Sequence, residues 1–99
     1  MKNNHLYNLS GSNGHSKPEY PLTFDLKVIM ENYYSEEQMQ AHLRLIFSRL
    51  GIPNAEWRSR LSTGGKYISF TIEITLKDET IMKNLYSVLK TLPGVKLAL

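Results

Sequence analysis

The chain shows the same succession of hydrophobic patterns twice. Each half begins with apolar residues that alternate with polar ones, which is typical of a half-buried strand, and continues with apolar residues at helical spacing. In the first half the alternating positions are Leu22, Phe24, Leu26, Val28 and Met30. The helical positions are Met39, Leu43, Ile46, Phe47 and Leu50. These patterns predict a strand over 22–30 and a helix that Gly51 and Pro53 terminate.

Local signals mark where the first helix begins and predict another strand after it. Ser35 and Gln38 have the spacing of a capping box, and Glu36 follows in the first turn, where the helix dipole favours acidic residues. A short strand is predicted over 56–61, with Trp57 and Leu61 on one side and Glu56, Arg58 and Arg60 on the other.

The second half has the cleanest alternation in the sequence. Its inward positions over 66–76 are Ile68, Phe70, Ile72, Ile74 and Leu76. Asp78 is a suitable N-cap for a second helix, whose predicted apolar face is Ile81, Leu85, Val88, Leu89 and Leu92. After Pro93 and Gly94, a terminal strand is predicted in which Val95, Leu97 and Leu99 alternate with Lys96 and Ala98.

The order strand, helix, strand, strand, helix, strand predicts the α+β class. Two similar halves joined by the turn at 62–65 fold most simply as a ferredoxin-like βαββαβ sandwich. Right-handed crossovers place both helices on one face of a four-stranded antiparallel sheet. The first 20 residues, rich in Asn, Ser and Gly and without apolar periodicity, are predicted to be a disordered tail, with the domain over 21–99.

The sheet face that the helices leave open is the predicted functional surface. Its candidate partner-binding residues are Lys27, Arg58, Arg60, Tyr67, Ser69 and Thr71. A net charge of +3 permits polyanion binding without requiring it. An RNA-recognition sheet needs two outward aromatic residues on one strand, whereas Tyr67 and Phe70 are three apart and so face opposite ways.

The composition argues against several other kinds of site. The chain has no cysteine, so thiolate metal sites, disulfides and thiol nucleophiles are excluded. His42 lies mid-helix with no catalytic partner fixed beside it, and the acidic pairs at 36–37 and 78–79 suit first helical turns. We therefore expect no catalytic residues, no cofactor and no metal. Since there is no apolar run long enough for a membrane span and no signal peptide, a cytoplasmic location without membrane contact is expected.

The order and spacing of certain residues resemble the YbeD-like bacterial family, a domain of unknown function (493). The residues that carry the resemblance are Tyr20-Pro21-Leu22, Lys27-Val28-Ile29-Met30, Ser62, Gly65, Tyr67, Ser69, Thr71, Ile72, Leu85-Tyr86, Leu89, Val95-Lys96-Leu97 and Leu99. They extend over the whole predicted domain. The resemblance implies a ferredoxin-like fold, similar to that of ACT-type regulatory domains, and implies no enzymatic activity.

The leading interpretation is a small non-enzymatic binding or regulatory module that acts through protein–protein contact or self-association. The short second and last strands, if they lie at sheet edges, would offer one route to self-association. One alternative is an ACT-like domain that binds a small-molecule effector. The other is weak binding of single-stranded nucleic acid on the open sheet face, with Tyr67 as the stacking residue.

Overall fold

A computed structural model describes residues 18–99 and shows the predicted fold class. The elements are β1 (Leu22–Glu31), α1 (Glu36–Leu50), β2 (Asn54–Leu61), β3 (Tyr67–Leu76), α2 (Glu79–Thr91) and β4 (Val95–Ala98). The sheet has the order β2-β3-β1-β4, and each neighbouring pair is antiparallel. The ferredoxin-like prediction is confirmed, with β2 and β4 at the two edges. Within 18–99, neither helix has the length and apolar character needed to cross a membrane.

The sequence predicts a disordered tail over residues 1–20. Of these, residues 1–17 lie outside the range that the structure describes. Tyr20, which the sequence places at the end of that tail, is half-buried and packs against the core. Its hydroxyl donates a hydrogen bond to Met82 Sδ at 3.3 Å. The packed part of the chain therefore includes the residue that precedes Pro21.

The core lies between one face of the sheet and the two helices. The strands contribute the buried residues Leu26, Val28, Met30, Ile68, Phe70, Ile72, Ile74 and Leu76. The helices contribute Met39, Leu43, Phe47, Met82, Leu85 and Leu89. Among the described residues no polar or charged residue falls in the buried class, so apolar burial supplies the main stabilisation.

The predicted helix starts have the hydrogen bonds that capping requires. Ser35 Oγ accepts a hydrogen bond from the Gln38 amide at 3.1 Å, and Gln38 Oε1 accepts one from the Ser35 amide at 3.1 Å. The Asp78 carboxylate accepts from the Ile81 amide at 2.9 Å. At the other end of α1, Gly51 adopts the left-handed conformation (φ 69°) that favours glycine.

The buried face of α2 includes Met82 in place of the predicted Val88, while Ile81, Leu85, Leu89 and Leu92 pack against the core as predicted. Met82 is 4% exposed, whereas Val88 is 37% exposed. The buried residues Met82, Leu85 and Leu89 follow the spacing i, i+3 and i+7, which is as helical as the predicted set. Because both sets satisfy the helical period, sequence spacing alone does not fix the rotation of the helix.

The predicted alternation in the terminal strand is wrong at Ala98. Val95 aligns with Met30 and Ala98 with Val28, so three steps along β4 correspond to two along β1. This register shift, located between Ile29 and Met30, adds one residue to β4. As a result Val95 and Ala98 both pack against the core, although the alternation puts them on opposite faces.

A second irregularity in the sheet orients Trp57. In β2, Ala55 aligns with Glu73 and Arg58 with Thr71, so two residues, Glu56 and Trp57, lie opposite a single position of β3. Glu56 has φ 53°, in the left-handed region. Within this bulge, Trp57 makes edge contacts with Phe47 and Phe70, at centroid distances of 5.8 and 6.4 Å.

Candidate binding face

The sheet surface opposite the helices, which we call the outer face, brings the predicted site residues onto three adjacent strands. Arg58 of β2 and Lys27 of β1 both align with Thr71, which lies between them on β3. In the next row, Arg60 aligns with Ser69. Tyr67 starts β3 one row further on. All six candidates thus lie on one contiguous surface, as the alternation predicts.

Four of the six candidates line one depression of about 390 Å³ at the end of the outer face near the β2–β3 turn. The lining residues are Lys27, Ile29, Arg60, Leu61, Ser62, Thr63, Tyr67 and Ser69. We call this the cationic depression, because its lining, within residues 18–99, includes two cationic side chains and several hydroxyl groups but no carboxylate. Such a surface favours an anionic group, because the cations and hydroxyls can donate charge-assisted hydrogen bonds to it.

Arg58 is held away from the cationic depression by an ion pair. Its guanidinium Nη2 lies 3.1 Å from Asp25 Oδ2, and both side chains are more than half exposed. Asp25 aligns directly with Glu73 on β3, which places two like charges opposite each other. Such a pair is destabilising, so the Arg58 charge offsets repulsion within the sheet. Thr71 lies between Arg58 and Lys27 but does not line the depression.

Tyr67 and the loop after β1 border the same end of the face. The ammonium group of Lys66 lies 5.5 Å from the centre of the Tyr67 ring, within the range of a cation–π contact. Tyr33 is 70% exposed and donates a hydrogen bond to Glu31 Oε2 at 2.6 Å. This bond and the nearby carboxylate charge raise the pKa of the Tyr33 hydroxyl. Glu31 also lies 3.8 Å from Lys96 Nζ.

Backbone contacts join the β1–α1 loop to the β2–β3 turn. The Asn32 amide donates to the Lys66 carbonyl at 3.0 Å, and the Asn32 side-chain amide donates to the Gly65 carbonyl at 3.0 Å. In the turn, the Tyr67 amide donates to Ser62 Oγ at 3.0 Å. These bonds hold Ser62 and Tyr67 at the rim of the cationic depression.

The lining also contains four residues that are not among the predicted site residues: Ile29, Leu61, Ser62 and Thr63. Ile29 breaks the alternation of β1 as an apolar residue on the polar face, which is the one signal that marks it. Leu61 is 54% exposed, an unusual exposure for a large apolar side chain. Ser62 and Thr63 carry no signal beyond their place in a turn, since their approach to Lys27 requires the folded sheet.

The helix side of the molecule holds two further features. The Arg44 guanidinium lies 4.2 Å from the centre of the Trp57 ring, and Asn54 Oδ1 accepts a hydrogen bond from Trp57 Nε1 at 3.0 Å. These contacts explain Trp57 as a packing residue. Tyr86 lines a depression of about 250 Å³ between α2 and β4, and its buried hydroxyl has no hydrogen-bond partner among the described residues. Burial raises the pKa of this hydroxyl well above its usual range.

His42 is exposed on α1, on the helix side of the sheet and thus away from the cationic depression. Within residues 18–99, no group of three or more histidine and acidic side chains is placed to hold a metal ion. The chemistry that the outer face does offer is recognition of an anionic group by Lys27, Arg60 and neighbouring hydroxyls.

Comparison with solved structures supports the fold assignment. The solution structure of protein HP0495 from H. pylori has a TM-score of 0.66 with 21% identity, covering 91% of this chain and 92% of that one. The C-terminal domain of the MgtC protein from Mycobacterium tuberculosis has a TM-score of 0.63 with 20% identity, covering 83% of this chain and 88% of that one. At these identities the likeness concerns the fold.

The family assignment comes from the sequence. No curated protein gives a significant match. A family model described as a protein of unknown function (DUF493) matches residues 15–99. This range includes every residue on which the YbeD-like resemblance rests and all six elements of the fold. Since the match extends over most of the sequence, the chain belongs to the DUF493 family.

Proposed function

We propose that this protein is a non-enzymatic binding module that contacts a partner protein through the cationic depression and its rim. The observation that carries the proposal is the pairing of Lys27 and Arg60 in a lining without a carboxylate. Each side chain projects from a strand of the sheet, so the backbone beneath both is fixed by ladder hydrogen bonds. A fixed backbone lowers the entropy that binding must overcome.

The composition of the rim favours a protein as the partner. Tyrosine and arginine are enriched at the centres of protein interfaces, and Tyr67 and Arg60 lie together in the lining. Leu61 adds an exposed apolar side chain and Tyr33 an exposed ring nearby. A surface that combines aromatic, apolar and cationic groups suits a folded or extended polypeptide.

The charges on the rest of the outer face disfavour a nucleic acid. Asp25 and Glu73 lie side by side beyond the row of Lys27, and Glu31 lies near Tyr67. A strand of phosphates crossing the face would meet these carboxylates as well as the cations. On β3 only Tyr67 is available to stack a base, because Phe70 is buried against the helices.

The test is affinity capture with the full-length chain and two matched double variants. Lys27→Gln/Arg60→Gln removes both cations of the depression, whereas Lys77→Gln/Lys83→Gln removes two exposed cations outside its lining. Each variant is first checked for an unchanged circular dichroism spectrum. Proteins captured from extract of the source cells are identified, purified and titrated against all three chains.

The proposal predicts a partner that binds the wild type and the Lys77/Lys83 variant alike and binds the Lys27/Arg60 variant at least tenfold more weakly. If the captured protein is this chain itself, the surface serves self-association and the heterologous partner is wrong. Equal capture by all three chains, or no capture by the wild type, would overturn the proposal.

A further inference from the structure

We infer that the cationic depression binds carboxylate side chains of an extended acidic segment in its partner, an inference that rests on the proposed function. Arg60 on β2 aligns with Ser69 on the central strand β3, whereas Lys27 on β1 aligns with Thr71, one row away on the same face. Strands two positions apart in a sheet are separated by about 10 Å, and one row adds an offset of about 6.6 Å along the strands. Arg60, Ser69 and Lys27 line the same depression, so the two long cationic side chains can both reach a carboxylate placed above β3 between Ser69 and Thr71.

The hydroxyl groups of the lining supply further donors for such a carboxylate. Ser69 Oγ lies 3.4 Å from the Arg60 carbonyl, a long hydrogen bond. Because hydrogen bonds of this length are weak, the Ser69 hydroxyl can turn toward a ligand at small cost. Thr63 lines the same depression. A carboxylate accepts up to four hydrogen bonds, which fits two cations and two hydroxyls.

Lys66 is a third cation, and its position favours one direction for the bound segment along β3. Lys66 lies over the ring of Tyr67, which is two residues along β3 from Ser69 and on the same face. Carboxylates two residues apart on an extended segment are separated by about 6.6 Å, the same step as Ser69 to Tyr67. A segment that runs along β3 toward the turn thus places one carboxylate between Lys27 and Arg60 and the next beside Lys66.

The opposite direction is unfavourable for the same segment. Beyond Thr71 the outer face carries Asp25 and Glu73, and these would repel further carboxylates. Toward the turn, Glu31 aligns with Tyr67, but Lys96 Nζ lies 3.8 Å from its carboxylate and offsets that charge. The segment also meets Leu61 there, which is 54% exposed and can contact an apolar residue. The occupant that best matches this sequence of charges is a short acidic segment with carboxylates at alternate positions.

The probe is an octaglutamate peptide titrated into the full-length, isotopically labelled chain and followed by two-dimensional NMR. Octaglutamine serves as the uncharged control peptide, and an eight-nucleotide oligothymidine as the control polyanion. Expected results are amide shifts centred on Lys27, Ser69 and Tyr67, and a Kd that rises about tenfold in Lys27→Gln/Arg60→Gln. The Lys77→Gln/Lys83→Gln chain should bind octaglutamate as the wild type does.

The outcomes separate this inference from the proposed function. If the double variant loses its protein partner but octaglutamate shifts no residue of the depression, the inference fails while the proposed function stands. If octaglutamate binds there but no partner is captured, the chemistry is supported and the proposed function fails. Equal binding of octaglutamine, or tighter binding of oligothymidine than of octaglutamate, would overturn the inference.

Discussion

At the scale of single residues, Tyr86 is the side chain whose surroundings fit it least well. Its hydroxyl is buried and has no hydrogen-bond partner among residues 18–99. A buried polar group without a partner costs free energy because it has left water without a replacement. The ring itself packs against the core, where Leu89, Val95 and Ala98 are its neighbours in the smaller depression.

Replacing Tyr86 with phenylalanine should therefore stabilise the fold. Tyr86→Phe keeps the ring and removes the unpaired hydroxyl, and we expect the free energy of unfolding to rise by about 1 kcal/mol. The control is Tyr34→Phe, because Tyr34 is 52% exposed and its hydroxyl can reach water. Denaturant titration of the three chains measures the difference, and a less stable Tyr86→Phe chain would contradict the prediction.

The same residue predicts how stability depends on alkaline pH. Burial raises the pKa of Tyr86 above the usual tyrosine value of 10.0, so the folded state holds this proton more tightly than the unfolded state. As pH rises above about 10, the unfolded chain loses the proton first, and the free energy of unfolding declines. Tyr20, whose pKa burial also raises, adds to the effect. Tyr86→Phe should lose less stability between pH 9 and 11 than the wild type.

At the scale of elements, the sequence predicts where strands and helices lie better than how they are rotated. The polar alternation of β3 and the capping residues Ser35 and Asp78 lead directly to the observed elements. The periodicity of the sequence does not reveal the extra residue at each of the two register shifts. In β2 the bulge accompanies the packing of Trp57 against Phe47 and Phe70.

The bulge in β2 depends on a residue that is unusual at its position. Glu56 has φ 53°, a conformation that costs a β-branched residue more than other types. Glu56→Val should therefore lower the free energy of unfolding by about 1–2 kcal/mol, whereas Glu56→Gly should leave it unchanged or raise it. The control is Glu73→Val, at an exposed position of a regular strand, where a β-branched residue is favoured.

Denaturant titration compares the three chains, with Trp57 fluorescence as a local probe of the bulge. Equal stability of Glu56→Val and Glu73→Val would show that residue 56 does not need a left-handed backbone. A stable Glu56→Val chain with altered Trp57 emission would instead show that β2 has returned to a regular ladder, which moves the indole away from Phe47 and Phe70.

At the scale of the whole molecule, the two faces of the sheet differ in the side chains that they carry. The helix-covered face contains the apolar core. The outer face carries two groups of charges, one made of Asp25, Glu73 and Arg58 and the other of Lys27 and Arg60. The alternation of β1, β2 and β3 is enough to predict which residues share the outer face. The alternation does not predict that Arg58 forms an ion pair with Asp25 while Arg60 and Lys27 line the same depression. Those positions depend on contacts across three strands.

This division predicts opposite roles for two arginines that lie two residues apart on one strand. Arg58→Gln leaves Asp25 and Glu73 opposed without the ion pair to Arg58, and should lower the free energy of unfolding by about 0.5–1 kcal/mol at low salt. Salt should reduce the loss, since exposed charges are screened. Arg60→Gln removes no internal ion pair among the residues described and should leave stability unchanged.

The two single variants should have the opposite pattern of effects on partner binding. Arg60→Gln removes a donor from the cationic depression and should weaken capture of the partner, whereas Arg58→Gln should keep it, because Arg58 does not line that depression.

Denaturant titrations at low and high salt test the predicted effects on stability, and partner titrations test the predicted effects on binding. The double variant Arg58→Gln/Glu73→Gln is the control, since removing the opposed carboxylate should restore stability without affecting binding. If Arg58→Gln weakens binding as much as Arg60→Gln does, the recognition surface extends across the whole outer face and the two groups of charge are not separate in function.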